Sequence, residues 1–70
     1  MASNSQREMK LNSEIMKVEE AAEYLRLSPG TLNIYRMNNE GPTYAKLGGA
    51  VRYRKIDLDA WVSKNLVKGF

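Results

Sequence analysis

Ser28-Pro29-Gly30-Thr31-Leu32-Asn33-Ile34-Tyr35-Arg36 is followed, after the breaker cluster Asn38-Asn39-Glu40-Gly41-Pro42, by Tyr44-Ala45-Lys46-Leu47-Gly48-Gly49-Ala50-Val51-Arg52-Tyr53-Arg54. The first segment reads as a short helix. Serine is a preferred N-cap, and a proline at the next position gives up no N–H that the helix would use. Helical spacing turns Leu32 and Tyr35 inward, flanked by Ile34 or Met37, and leaves Thr31, Asn33 and Arg36 facing out. The second segment reads as a hairpin of two short strands, 44–47 and 51–54, joined by a three-residue loop at Gly48-Gly49-Ala50. Alternation on that register places Ala45, Leu47, Val51 and Tyr53 on one face and Lys46, Arg52 and Arg54 on the other.

Working outward, the pattern on the N-terminal side becomes helical from Ile15. Val18, Ala21, Ala22 and Leu25 share a face, and Glu19, Glu20 and Glu23 occupy the opposite one. Early glutamates suit the positive end of the helix dipole, whereas Lys17 is a poor N-cap. Arg26-Leu27-Ser28 is then a very short turn, so the first two helices form a helix-turn-helix. On the C-terminal side a third helix spans about 56–65. Leu58, Trp61 and Val62 form its buried stripe, and Asp57 and Asp59 sit in its first turn. The expected fold is mainly α with a small β-hairpin: a winged helix-turn-helix over residues 14–66, a flexible N-terminal tail at 1–13 and a short C-terminal end at 67–70.

Composition narrows the function. Seventy residues allow one small domain. The chain has no cysteine and no histidine, which removes disulfides, the commonest metal ligands and every Ser/His or Cys/His nucleophile pair. Asp57 and Asp59 lie two apart on a helix and point in different directions, so they make no catalytic carboxylate pair. No enzyme activity, cofactor or metal is expected. Eleven basic residues against eight acidic ones give a net charge of +3, a weak signal by itself. The distribution is more telling: Lys46, Arg52, Arg54 and Lys55 fall between Gly41 and Lys55 with no acid among them, as a phosphate-binding face requires. No apolar run has membrane-spanning length, and the polar start has no secretory h-region, so a cytoplasmic protein is expected.

Five motifs in order also suggest a family: Glu19-Glu20-Ala21-Ala22-Glu23-Tyr24-Leu25, Ser28 to Leu32, Tyr35-Arg36, Gly41 to Gly48, and Val51 to Arg54 followed by Asp57 to Val62. Over about residues 15–64 the chain resembles the excisionase-like and AlpA-like winged helix-turn-helix proteins of phages and integrative elements. It is more distantly similar to the DNA-binding head of MerR-type regulators. The resemblance implies that the second helix enters the major groove and that the hairpin wing lies along the backbone or in the adjacent minor groove. By position it gives Thr31, Asn33 and Arg36 to the reading helix and Lys46, Arg52 and Arg54 to the wing. Gly30, Gly49 and Ala50 depart from the pattern, standing where such proteins often carry arginine or another polar group.

Each of these residues also has a plainer role. Arg36 is placed for a guanine edge or a phosphate, or simply complements the helix dipole. Asn33 suits an adenine edge. The three wing cations suit phosphates, but would equally guard a sheet edge against aggregation. Trp61, by its spacing, belongs to the core. The leading expectation is a double-stranded DNA-binding protein of the excisionase type, with further copies of itself and an integrase as partners. A small transcriptional regulator with the same contacts is the alternative. A protein-interaction module using the acidic first helix is a rival of another class.

Overall fold

The computed structural model describes residues 14–69 of the chain; the tail expected at 1–13 lies outside them. The elements run β1 (Ile15–Met16), α1 (Val18–Leu25), α2 (Pro29–Met37), β2 (Ala45–Leu47), β3 (Ala50–Arg54) and α3 (Lys55–Lys64). The strands form one antiparallel sheet in the order β1-β3-β2. The winged helix-turn-helix read from the sequence is the fold of the chain, with one added strand.

That strand, β1, corrects the expectation that the helical pattern begins at Ile15. Ile15 pairs with Arg54 and Met16 with Tyr53, and Met16 is buried against the core. Two residues are too few for a strand signal, and the pairing partner lies nearly forty positions away. α1 starts only after it. Lysine has no acceptor with which to cap a helix, and the cap is made from the other side: Glu20 accepts the Lys17 N–H at 2.8 Å, half of a capping box. The helix ends at Arg26, which adopts a left-handed conformation with φ 61°. The Leu27 N–H then closes back on the Ala22 carbonyl at 2.8 Å, a Schellman-type stop made without glycine.

α2 begins as its sequence dictates. The Thr31 N–H donates to Ser28 Oγ at 3.1 Å, and Ser28 Oγ donates to Thr31 Oγ1 at 2.8 Å. It ends where the Glu40 N–H returns to the Tyr35 carbonyl at 2.8 Å. Gly41 is required there by space: a Cβ would stand 2.9 Å from the Cβ of Tyr35.

The core is small and almost wholly apolar. Met16, Ala21, Ala22, Leu32, Tyr53 and Leu58 are buried, with Val18, Leu25 and Val51 packed around them. The two alanines allow α1 to lie close against its neighbours. Two further expectations about packing are corrected. Val62 and both candidate flanks of α2, Ile34 and Met37, are exposed, and Trp61 is only partly buried. Trp61 instead sits at the edge of the core, its ring tilted against Tyr35 with centroids 5.7 Å apart.

Tyr53 is fully buried, and its hydroxyl has no hydrogen-bond partner among the described residues. A buried, unsatisfied hydroxyl costs about 1–3 kcal/mol. Tyr53→Phe is therefore expected to leave the stability unchanged or raise it by about 1 kcal/mol. A thermal melt of the variant checks this; a clear loss of stability would mean that the hydroxyl has a partner. The burial also removes the Tyr53 hydroxyl from any role at the surface.

Candidate nucleic-acid interface

The second helix of a helix-turn-helix is the one that enters a groove, so α2 and the hairpin beside it are the site to build. On a helix with about 100° between successive residues, Thr31 and Asn33 lie about 160° apart, so the three outward residues read from the sequence do not share one face. All three are partly buried. Thr31 is held at the helix start by Ser28. Arg36 and Asn33 are neighbours: the guanidinium donates to Asn33 Oδ1 at 2.6 Å. Arg36 also lies over the ring of Tyr44, 5.9 Å from its centroid. Tyr44 immediately precedes β2, so this contact ties the end of α2 to the base of the wing. Arg36, Asn39, Gly41, Pro42, Thr43 and Tyr44 line a shallow polar groove at that junction.

The wing differs from expectation by one residue, with a large consequence. Leu47 pairs with Ala50, Lys46 with Val51 and Ala45 with Arg52. The loop is therefore two residues long, Gly48-Gly49, both at positive φ (59° and 91°), as the tight primed turns require. A one-residue change in register turns every side chain of one strand to the other face. Lys46 thus shares a face with Val51 and the buried Tyr53, while Ala45 and Leu47 share the solvent face of Arg52 and Arg54. The three wing cations do not form one row.

Their electrostatics differ as well. Arg52 donates to the Val51 carbonyl at 2.8 Å and, like Lys46, has no ion pair among the described residues. Arg54 is engaged: its Nε and Nη2 grip both carboxylate oxygens of Asp57 at 2.6 and 3.0 Å, closing the first turn of α3. Lys55 pairs with Asp59 at 2.8 Å, and Asp59 also accepts the Tyr24 hydroxyl of α1. Hydrogen bonding to Arg54 holds the Asp57 carboxyl below its ordinary range and raises the Arg54 guanidinium. Hydrogen bonds from Lys55 and then Tyr24 do the same for Asp59, and the Lys55 ammonium is raised by Asp59 and then Tyr24.

The signs give a pH prediction. The two carboxylates, with depressed folded values, contribute above the ordinary carboxylate range and lose that contribution as pH falls through their folded values. The two cations, with raised folded values, contribute below the ordinary lysine range and lose it as pH rises through theirs. No histidine side chain is present to titrate between. The melting temperature is expected to be flat between about pH 5 and pH 9 and to fall on the acid side. Both pairs are solvent-exposed, so the fall is shallow. Melts of the chain and of Asp57→Asn across that range check it; a midpoint near neutrality would contradict the assignment.

Sequence reasoning missed three parts of the site. Tyr44 carries no motif that marks it as the seat of Arg36. The Arg54–Asp57 pair was available as an i, i+3 spacing at a helix start. The exposed stripe of α2, Gly30, Ile34 and Met37, spans about 60° of the helix on the side away from Leu32, and the same wheel projection would have found it. Among the described residues no cluster of His, Cys, Asp or Glu could hold a metal ion, and no helix is long and apolar enough to cross a membrane.

Comparison with curated proteins finds no match. The family model described as a helix-turn-helix domain matches residues 15–66, from the first residue of β1 to just past the end of α3. With the matching order of helix, turn, helix, wing and closing helix, this means that the chain belongs to that helix-turn-helix family, the family of excisionase-like and AlpA-like small DNA-binding proteins.

Proposed function

We propose that this small DNA-binding protein is an excisionase, a directionality factor that binds duplex DNA near an attachment site and turns a separate integrase toward excision. The observation that carries the DNA-binding part is the joining of α2 to a wing whose Lys46 and Arg52 have no acidic partner among the described residues. In this reading Thr31, Asn33 and Arg36 belong to the helix in the major groove, and Lys46, Arg52 and Arg54 to the wing along the backbone. Residues 14–66 make up the binding unit, with 1–13 and 67–70 flanking it. The protein performs no chemistry of its own and acts in the cytoplasm, where the DNA is.

The excisionase role is supported by the size of the domain and the bareness of its wing. A single module this small buries about 600–1,000 Å² of its own surface on DNA, too little for high affinity alone. Gly48-Gly49 at the wing tip adds no charge. Several copies bound side by side recover the affinity, and together they supply the energy to bend the site, which costs about 1–6 kcal/mol. The same contacts would serve a transcriptional regulator, since the fold does not distinguish the two roles. Footprinting on the element's own attachment region and on its promoter tests the choice. Protection over several adjacent half-turns at the attachment region is expected; protection confined to the promoter would make the protein a regulator.

A further inference from the structure

We infer that Ile34 and Met37 read thymine methyl groups in the major groove and so set part of the DNA sequence preference of this protein. The inference rests on the DNA-binding reading above and deepens it.

Ile34 is 57% exposed and Met37 75% exposed, although both are large and apolar. They lie on the side of α2 away from the buried Leu32, on one stripe with Gly30, where an added Cβ would meet nothing within 4 Å. This stripe is the outermost part of the helix that a helix-turn-helix presents to a groove. On either side of it one acceptor atom is engaged within the helix, while the Asn33 amide N–H groups and the Thr31 hydroxyl proton stay free to donate. Thr31 Oγ1 accepts from Ser28 Oγ, and Asn33 Oδ1 accepts from Arg36. The surface that reaches furthest carries carbon and sulfur rather than hydrogen-bonding groups. Of the features that base pairs display in the major groove, the C5 methyl of thymine is the apolar one, and apolar side chains recognise it by contact. The stripe is continuous with the flanking Asn33 and Arg36 and, through Tyr44, with the wing. Its place on the second helix of the helix-turn-helix, beside Arg36 and the basic wing, favours the groove over a second protein surface as its occupant.

The test begins with duplexes selected by the protein from a randomised pool. Each selected thymine is then replaced in turn by deoxyuridine, which removes the methyl and keeps every hydrogen-bonding group. Burying one such group is worth about a threefold to fivefold change in affinity. The wild-type chain is expected to lose about that factor at one or more positions. Ile34→Ala and Met37→Ala are expected to bind the thymine and uracil duplexes equally, each at its own position. Both residues are exposed, so both variants should keep the wild-type circular dichroism and melt.

Equal wild-type affinity for the thymine and uracil duplexes would overturn the proposal, as would undiminished methyl discrimination in the Ile34→Ala, Met37→Ala double variant. So would a wild-type chain that self-associates through this stripe without DNA and becomes monomeric in the double variant. A chain that binds no duplex at all would overturn the DNA reading itself, and the proposal with it; tight binding without methyl discrimination would leave that reading intact.

Discussion

Trp61→Ala is expected to lower the folding free energy by about 3 kcal/mol, the low end of the range for removing a large aromatic side chain. The low end applies because Trp61 is only partly buried. Two contacts are lost together: the tilted packing on Tyr35, at 5.7 Å between centroids, and the Nε1–H donated to the Glu40 carbonyl at 3.2 Å. These contacts fasten α3 to the end of α2, just before Gly41 and the buried Pro42 lead the chain into the wing. A domain of this size has a total stability of about 4–10 kcal/mol, so the variant should lose about a third or more of it. The melting temperature should fall by roughly 15 °C. Trp61→Phe keeps the ring contact and loses only the hydrogen bond, so it should cost about 1 kcal/mol. Thermal melts without DNA decide the matter. An unchanged melt together with lost DNA binding would move Trp61 from the framework to the interface.

The sequence is legible where one residue type has one physical use. Ser28-Pro29 announces a helix start, and both the cap and the proline are found there. Leu32, Leu58, Ala21 and Ala22 fall on helical spacing and are the core. The two-residue β1 is illegible because a strand so short is defined by its partner, Tyr53-Arg54, rather than by any pattern of its own. The wing register failed for a related reason. Gly48-Gly49-Ala50 can be counted as a loop of two or three residues, and the choice turns on backbone dihedrals that are not written in the side chains. That single count moved Lys46 to the other face of the hairpin. On α2 the sequence leaves the azimuth of each side chain open. Thr31, Asn33 and Arg36 stand out because they are polar, but polarity does not determine azimuth. Leu32 fixes which way the helix faces, and its opposite side belongs to Gly30, Ile34 and Met37. Charge patterning located the basic segment but could not show that Asp57, one turn into α3, had already engaged Arg54.

That last pairing divides the wing cations into paired and unpaired ones, and salt titration should reveal the difference. Arg36, Lys46 and Arg52 have no carboxylate partner among the described residues, whereas Arg54 and Lys55 each have one. An unpaired cation that meets a phosphate releases a condensed counterion; a paired one must first give up its aspartate, which offsets part of the gain. With three phosphates neutralised, log K should fall against log salt with a slope of about −2.7, close to a fortyfold loss of affinity between about 50 and 200 mM. Lys46→Ala and Arg52→Ala should each flatten the slope by about one unit and weaken specific and random duplexes alike. The Arg36→Ala, Lys46→Ala, Arg52→Ala triple variant should bind with almost no salt dependence. Arg54→Ala should change the slope by less than either single wing variant, and Asp57→Ala, which releases the guanidinium, should steepen it. None of these side chains belongs to the buried core, so each variant can be compared as a folded protein. An Arg54→Ala variant that flattens the slope as much as Arg52→Ala would mean that DNA takes Arg54 from Asp57 on binding. A wild-type slope near zero on any duplex would remove the phosphate face altogether.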